Sequence, residues 1–411
     1  YFLCFQTIKY VVLYYKVEGM KKFLKNLKDL FNKMDRSLFV VTILFFLFGL
    51  LNIVTASSRE AVVRYELSTY HYFFKQSQML IAGLIGSYII LNLKTKAYKD
   101  LVWLAYIFVL GLVILLFPFG KEVNGATNWL PIPGFGTLQP SEFAKPVMIV
   151  LFAIMFEKYY RILNSDNPKR WTKIGLIIIV AGLIPLLTFV QKDLGGALIM
   201  IGIFGVMFLA SPIRRIDKLK TIGLGVGVLI IMMSIIVLRQ GYLLSDAQMA
   251  RFDFFNPCSK YETTGYQICN GFIALNDGGL FGLGIGKSKQ KYSYIPEPHT
   301  DSIFAIIGEE YGAIKCSFIF LAYIFVLFRI LKISTNATTL RGRYICLGMA
   351  TYIFMHIFIN LGGLFGIIPL TGVPLPFLSY GGTFAISLMC SLAVVQRVHI
   401  ETKLEKFKLN H

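Results

Sequence analysis

The feature that most constrains this fold is a series of ten apolar stretches, each near the length of a membrane-spanning helix. A hydrocarbon core of ~30 Å is crossed by about 20 apolar helical residues. The stretches lie at 37–56, 76–93, 101–119, 140–157, 173–190, 194–210, 221–239, 302–330, 343–365 and 378–396. Backbone groups in hydrocarbon must be paired internally, which favours helices. We expect an all-α integral membrane protein with about ten transmembrane helices.

Composition supports this class and excludes others. Hydrophobic residues make up 56% of the chain and charged residues only 15%, against roughly 25% charged in soluble domains. This balance excludes a typical soluble enzyme, and such an apolar chain would collapse and not stay disordered. The formal charge of +19 does not indicate nucleic-acid binding, because the basic residues mark the ends of the apolar stretches.

The basic residues also predict orientation and domain limits. Counting alternate connections places 28 of the 41 Lys and Arg on one side and 11 on the other, so both termini are predicted to be cytoplasmic. Residues 1–36 form a basic cytoplasmic segment, and 1–19, which lack an initiating Met, are interpreted as a start-site artefact. A single membrane domain spans 37–396 and contains an extracytoplasmic loop at 240–301, and a basic cytoplasmic tail covers 397–411.

Ionisable groups at membrane depth are costly, so each is a functional hypothesis. Glu142 and Lys145 are three residues apart near the start of the fourth stretch, where they either neutralise each other or present a cation to an anionic group such as phosphate. Asp193 begins the sixth stretch and suits a helix N-cap.

Asp301 is the most informative of these groups. It stands at the outer mouth of the eighth stretch, with Glu297 and His299 close by. A partly desolvated carboxylate has a raised pKa and suits a general base, whereas a helix N-cap explains the same residue structurally. The glycine-rich run at 278–286 resembles a nucleotide loop only by pattern, since no strand precedes it, and we reject that interpretation.

A Pro- and Gly-rich stretch at 369–382 lies at membrane depth before the last helix. Such backbone is tolerated only where protein or a cavity covers it, which predicts a re-entrant segment. His356 and Asn360 in the preceding stretch are interpreted as interhelical hydrogen-bonding groups.

Seven blocks in this order resemble the SEDS family of bacterial membrane proteins, the group of RodA, FtsW and SpoVE. The resemblance covers about Asp35 to Arg397. The blocks are NGATNW, QPSEFAK, DLGGA, GGLFGLGIG, PEPHTD, IIGEEYG and PLTGVPLPFLSYGG. The sequence Asp35-Arg36-Ser37-Leu38 looks more like RodA than FtsW, which implies a role in cell elongation and shape maintenance.

The resemblance implies a ten-helix peptidoglycan glycosyltransferase in the bacterial cytoplasmic membrane, where it polymerises lipid II at the outer face and releases undecaprenyl pyrophosphate. It implies a class B penicillin-binding protein as the transpeptidase partner. Asp301 matches the family's essential catalytic residue and would deprotonate the attacking 4-hydroxyl. Lys145 is the first candidate to stabilise the pyrophosphate leaving group, and Lys75 is the second. We predict that substrate-binding residues include Ser141, Glu142, Lys145, Glu297, Thr300, Lys75, Asp193 and Ser379.

Three matters stay open from sequence. A divalent cation, Mg²⁺ or Mn²⁺, would suit a pyrophosphate, but no metal-ligand cluster in the sequence requires a cofactor. Cys258 and Cys269 share one predicted loop and either form a disulfide or remain free thiols. The rival functions are a flippase for a lipid-linked precursor and a scaffold that docks a partner's helix, which is compatible with catalysis. The predicted place of Asp301, at an outer mouth and not at the midplane, favours the glycosyltransferase over the flippase.

Overall fold

Each of the ten apolar stretches overlaps a helix in the structure, which is a computed structural model. It describes residues 25–123, 125–132, 136–240, 254, 256–261, 265–292 and 294–409, and the suspected artefact at 1–19 lies outside them. The α-helices from residue 36 onward, in chain order, are α1 Arg36–Arg59, α2 His71–Asn92, α3 Tyr98–Phe119, α4 Pro140–Leu163, α5 Arg170–Val190, α6 Leu194–Ala210, α7 Arg215–Gln240, α8 Tyr266–Gly278, α9 Ile303–Asn336, α10 Leu340–Leu364 and α11 Gly382–Leu409.

The described helices are those of an integral membrane protein. Six are long and apolar enough to cross a membrane, namely α1 with a short π-helical extension, α3, α5, α9, α10 and α11. The α6 helix is apolar but has only 17 residues. α10 and α11 are largely buried, whereas α3 and α9 expose most of their apolar surface, as helices that face lipid do. The all-α membrane class is confirmed, and the number of crossings stays a prediction.

Side-chain caps begin several of these helices. Asp35 precedes α1 and accepts the Leu38 N–H at 2.9 Å, and Thr339 accepts the Gly342 N–H at the start of α10. Each cap pairs a backbone donor that has no partner within its helix. Residues 397–409 of the predicted basic tail are helical and continue α11.

Charged residues gather at one end of the bundle, which we call the basic end. It holds the first residues of α1, the last turns of α4, α9 and α11, and the turns near 94–100 and 164–170. Ion pairs join these helices: Arg341 Nη1 lies 3.0 Å from Glu157 Oε2, and Arg170 Nε lies 3.1 Å from Asp217 Oδ2. The opposite end, which we call the loop end, carries the described residues 60–70, 120–123, 125–132, 136–139, 191–193, 265–292, 294–301 and 365–381.

The first and last helices are joined at the basic end. The Asp35 N–H donates to Gln396 Oε1 at 2.8 Å, and Gln396 Nε2 donates to the Asp35 carbonyl at 3.0 Å. Both residues are buried, although 361 positions separate them in the chain. This reciprocal pair closes the bundle.

Two elements at the loop end were not predicted from sequence. A three-stranded antiparallel sheet follows α3, with β1 Lys121–Val123, β2 Ala126–Ile132 and β3 Gly136–Leu138. Its Thr127 N–H donates to the Gln191 carbonyl, which ties the sheet to the turn between α5 and α6. The predicted loop at 240–301 contains α8, and a disulfide joins Cys258 to Cys269 with the Cα atoms 5.0 Å apart. The structure thus favours the disulfide over two free thiols.

The glycine-rich run packs its backbone against α9. The Leu283 and Gly284 N–H groups donate to the carbonyls of Glu309 and Glu310 at 2.9 and 3.0 Å. Opposite them, Gly312 interrupts α9 with a φ of 78°, and a Cβ placed on it would lie 2.3 Å from the Gly282 nitrogen. Only glycine permits this backbone geometry.

The Pro- and Gly-rich stretch is irregular backbone covered by protein, as predicted. Residues 365–381 form turns between α10 and α11, and Leu375, Phe377 and Leu378 are buried. The Phe377 ring stacks on Phe45 of α1 at 5.2 Å, and the Tyr323 hydroxyl donates to the Pro376 carbonyl at 2.6 Å. These contacts hold the segment inside the bundle.

Candidate active site at the loop end

Asp301 lies two residues before α9 and is only partly buried. Its Oδ1 accepts a hydrogen bond from Thr300 Oγ1 at 3.1 Å. On the other side lies the irregular segment, where a Cβ built on Gly372 would stand 4.0 Å from Oδ2. Gly372 has a φ of 71°. The carboxylate therefore lies between the end of the 294–301 loop and the backbone of the irregular segment at Gly372.

Asn360 of α10 fixes the backbone around this carboxylate. Its Nδ2 donates to the carbonyls of Asp301 and Val373, each at 2.7 Å. One buried amide thus joins the residue before α9 to the irregular segment. The sequence prediction that Asn360 forms interhelical hydrogen bonds is close to this role, but it missed the link to Asp301.

The surroundings of Asp301 raise the pKa of its carboxyl group. Burial is the main cause, and the negative charge of Glu297 acts in the same direction. Hydrogen bonds from Thr300, from the residue's own backbone and from Gln267 oppose the shift. A carboxyl group whose pKa is raised holds a proton more strongly, which suits a residue that accepts one during a reaction.

Lys145 and Glu142 form a buried pair beneath this site. The Lys145 ammonium lies 2.6 Å from Glu142 Oε1 and 3.1 Å from His356 Nε2, and its side chain is only 1% exposed. Two of the three N–H donors of the ammonium thus face protein partners. The predicted contact of Lys145 with substrate stays a prediction, and it would use the third donor or the exchange of one of these partners.

His356 connects this pair to the irregular segment. Its Nδ1 lies 3.2 Å from the Pro374 carbonyl, which is an acceptor only, and its Nε2 faces the Lys145 ammonium, which is a donor only. The neutral ring protonated on Nδ1 satisfies both contacts. His356 and Asn360 are one turn apart on α10, so they hold the adjacent carbonyls of Pro374 and Val373.

Asp193 and its neighbours form a second polar group. Asp193 Oδ1 accepts the Gly196 N–H at 2.8 Å, which is the N-cap of α6 that the sequence predicted. Its Oδ2 receives Gln139 Nε2 at 3.2 Å and the Ser141 hydroxyl at 3.5 Å. Asp193 and Ser141 are thus hydrogen-bonded to other protein groups. Contact of either residue with substrate stays a prediction.

The other predicted binding residues occupy different positions. Lys75 is exposed in the first turns of α2. Glu297 is half-buried with a φ of 43°. Its carbonyl accepts the Thr300 N–H at 3.0 Å and lies 2.7 Å from Thr300 Oγ1, so it shares the single hydroxyl proton with Asp301 Oδ1. Ser379 is buried, and its hydroxyl accepts the Leu375 N–H at 2.8 Å. Of these, only Thr300 directly contacts the Asp301 carboxylate.

His299 is a buried residue next to the site, and its contacts were not predicted from sequence. His299 Nδ1 lies 3.4 Å from Glu60 Oε2, and its ring packs on Tyr72 with centroids 4.2 Å apart. The His299 carbonyl accepts the Tyr380 N–H at 2.8 Å. These contacts join α1, α2 and the irregular segment to the loop that carries Asp301. The distant partner Glu60 could not be recognised without the fold.

Glu309 and Glu310 of α9 are fully buried, and they secure the glycine-rich run. Glu309 accepts the Ser288 hydroxyl at 2.5 Å and the Lys289 N–H at 2.7 Å, and Glu310 pairs with Lys291 at 3.1 Å.

Among the described residues, no group of three or more His, Cys, Asp or Glu side chains is placed to hold a metal ion.

A family model with the description "Cell cycle protein", named for FtsW, RodA and SpoVE, matches residues 35–404. The chain belongs to the SEDS family. Together with the apolar helices, this membership makes it a multi-pass membrane protein.

Relatives of known name cover almost the whole SEDS domain. "Probable peptidoglycan glycosyltransferase FtsW" of Bacillus subtilis (strain 168) is 34% identical over 389 residues, which are 93% of this chain and 94% of that protein. "Stage V sporulation protein E" of the same organism is 32% identical over 374 residues, with 89% and 96% covered.

Two solved structures share the fold. One is described as "Structural coordination of polymerization and crosslinking by a peptidoglycan synthase complex", with a TM-score of 0.70 and 23% identity over 89% of this chain and 97% of that one. The other is the rod shape determining protein RodA of Thermus thermophilus, with a TM-score of 0.62 and 22% identity over 89% and 96%.

Proposed function

We propose that this SEDS protein is a peptidoglycan glycosyltransferase that polymerises lipid II, with Asp301 as its catalytic base. The observation that carries the proposal is a partly buried carboxylate at the loop end, oriented by Thr300 and Asn360. The name of the FtsW relative gives the same activity.

The reaction follows from the chemistry of the substrates. The GlcNAc 4-hydroxyl of an incoming lipid II gives its proton to Asp301 as its oxygen bonds to C1 of the MurNAc at the end of the growing chain. The bond from C1 to the pyrophosphate oxygen breaks, and undecaprenyl pyrophosphate leaves. A single displacement of this kind inverts the configuration at C1. General base catalysis of this type contributes about 10²- to 10⁴-fold to the rate.

The leaving pyrophosphate needs positive charge. Lys145 supplies it through its third donor or by exchange of Glu142 or His356, whereas the exposed Lys75 has no such protein partners to exchange in the described structure. A divalent cation would add charge by bridging the two phosphates. Omitting Mg²⁺ and Mn²⁺ from the assay, with a chelator present, tests whether a metal is needed.

The direct test is polymerisation of labelled lipid II by the purified full chain with a class B penicillin-binding protein. Glycan products should form with the wild type and disappear with Asp301→Asn. Asp277→Asn, a matched substitution in α8, should leave them unchanged. Equal products from the Asp301→Asn protein would refute Asp301 as the base.

The flippase remains the second candidate. Alternating access places its site near the midplane, whereas Asp301 precedes a helix at the loop end. If a folded and partnered wild type makes no product, translocation of lipid II in vesicles becomes the deciding measurement.

We further propose a class B penicillin-binding protein as partner, since the similar structure is described as a complex of polymerization and crosslinking. Activity with and without that protein tests the dependence. The elongation role implied by the sequence at Asp35 to Leu38 is a separate proposal, because the named relatives include both FtsW and a sporulation protein. Depletion should give rounded cells, and filaments would instead indicate a division role.

The orientation is part of the proposal. Disulfides persist outside the cytoplasm, and one lies at the loop end, while basic residues gather at the other end. We infer that the loop end faces outward and that both termini are cytoplasmic. Labelling of single cysteines placed at Lys121 and Lys408 with a membrane-impermeant reagent should modify only the first in intact cells.

A further inference from the structure

A cavity lies at the basic end, far from Asp301 along the length of α9. It has a volume of about 360 Å³ and is formed by the start of α1 and the last turns of α9 and α11. The proposed glycosyltransferase chemistry uses none of its residues.

The cavity carries a strong excess of positive charge. Arg329 and Lys332 line it from α9, and Lys403 and Lys406 line it from α11. The single acidic residue in its wall is Asp35. That carboxylate already caps α1 through Oδ1 and forms an ion pair with Arg329 through Oδ2. The charges of the three lysines remain uncompensated, since within the described part of the chain none of them pairs with a carboxylate.

Side chains of the cavity wall offer donors to an anion. Thr402 is buried and His399 is half-buried in the wall, while the three lysines are exposed at the rim. The Arg329 Nε is buried and has no hydrogen-bond partner in the described structure. A buried donor without a partner is rare in proteins, and a phosphate oxygen in the cavity would provide an acceptor for it.

The surface beside the cavity is apolar. Phe328 is 58% exposed and lies under the Lys332 ammonium, with 6.0 Å from Nζ to the ring centroid. A cationic cup beside an exposed ring matches a ligand with a phosphate headgroup and hydrocarbon chains.

We propose that this cavity binds the phosphate headgroup of an anionic phospholipid. The phosphate would lie between Arg329 and the rim lysines, with the acyl chains along the apolar surface. Such a lipid would bridge α1, α9 and α11, and a ligand bound only by the folded state stabilises it. This inference does not depend on the proposed glycosyltransferase activity.

The test uses the purified full chain in a neutral detergent, with lipid binding measured by native mass spectrometry. Dioleoyl phosphatidylglycerol should bind with a measurable Kd and raise the thermal midpoint, and dioleoyl phosphatidylcholine should do neither. Free glycerol phosphate tests whether the bound phosphate belongs to a lipid or to a soluble compound. If it binds and stabilises as well as phosphatidylglycerol, the lipid assignment is overturned in favour of a soluble phosphate compound.

Two triple variants that remove the same charge distinguish lipid binding in the cavity from general electrostatic attraction. Lys332→Gln, Lys403→Gln and Lys406→Gln together should weaken phosphatidylglycerol binding by about tenfold or more. Lys94→Gln, Lys96→Gln and Lys408→Gln remove the same charge from exposed lysines outside the cavity, and should change the Kd less than about twofold. Equal weakening by both triple variants would overturn the proposal. All six positions are exposed, so unchanged elution volumes are expected.

Discussion

The side-chain amide of Asn360 holds the backbone carbonyl of Asp301 at 2.7 Å and, with its second proton, the carbonyl of Val373. The candidate base is thereby attached to α10 and not only to the loop that precedes α9. Precise placement of a reacting group contributes strongly to rate, and an error of 1 Å can cost about 10²-fold. Asn360 is therefore a positioning residue for Asp301.

Replacing Asn360 with Leu should lower kcat for lipid II polymerisation by about 10- to 10²-fold, with a smaller change in KM. The substitution removes both donors and leaves two carbonyls without partners. Thr351→Val is the control on the same helix, because the Thr351 hydroxyl bonds only within α10, to the Leu347 carbonyl. An Asn360→Leu protein that folds and retains the wild-type kcat would contradict the positioning role.

The pH profile of polymerisation should reflect the environment of Asp301. Burial raises the pKa of this carboxyl above its ordinary value of 3.8, and a general base is active only when ionised. Activity should therefore fall as the pH drops through a pKa above that value. Steady-state rates measured between about pH 4 and about pH 8 give the acidic limb.

Two neighbours of Asp301 should move that limb in opposite directions. Thr300→Val removes a hydrogen bond that lowers the pKa of Asp301, so the limb should shift to higher pH. Glu297→Gln removes a negative charge that raises the same pKa, so the limb should shift to lower pH. Shifts of both variants in one direction would show that another group controls the profile.

The buried pair of Lys145 and Glu142 allows folding and catalysis to be separated. Lys145→Met alone leaves Glu142 without its cation, and such a loss costs about 3 to 5 kcal/mol, so the yield of folded protein should fall. The double variant Lys145→Met, Glu142→Leu removes both charges and should recover the yield, measured by size-exclusion chromatography. If it also polymerises lipid II at the wild-type rate, Lys145 has no role in the reaction.

Reduction of the disulfide between Cys258 and Cys269 should lower the thermal midpoint. A disulfide that closes a loop this short, with 11 positions between its ends, contributes about 3 kcal/mol. The double variant with Ser at both positions should have a lower midpoint that no longer responds to reductant. Cys346→Ala changes a buried free thiol and should keep the response to reductant. Equal thiol labelling with and without reduction would show that the disulfide is not formed.

Gly312→Ala should prevent correct packing of the loop end. Gly312 has a φ of 78°, and an added Cβ would lie 2.3 Å from the Gly282 nitrogen, which is too close for any contact. Gly205→Ala is the matched control, because Gly205 lies within α6 and has nothing within 4 Å of an added Cβ. That control should be neutral or stabilising by up to about 1 kcal/mol. Similar yields of both variants would contradict the role of Gly312.

The helices could be predicted from sequence because length and hydropathy are local properties. Asp301 could be placed at the mouth of its helix for the same reason, and Asp193 could be recognised as a cap. Hydropathy also indicated that the stretch before α11 had to be covered by protein.

The interior contacts of the site depend on distant parts of the chain and could not be predicted. The spacing of Glu142 and Lys145 predicted their pairing, but not that His356, 211 positions beyond Lys145, would receive the ammonium. The sheet after α3 consists of short strands, two of them with three residues, too short to give a periodic pattern. The contact of His299 with Glu60 likewise depends on the fold, because it forms where the end of α1 meets the loop that carries Asp301.

The reciprocal hydrogen bonds between Asp35 and Gln396 have a consequence for biogenesis. A polytopic chain enters the bilayer from its N-terminus, so α1 is inserted long before the ribosome has made α11. Until then the Asp35 N–H and carbonyl lack their native partner. A nascent chain that stops short of Gln396 leaves these two backbone groups without the amide that pairs them in the complete chain. The start of α1 therefore reaches its native hydrogen bonding only after the last helix has been made.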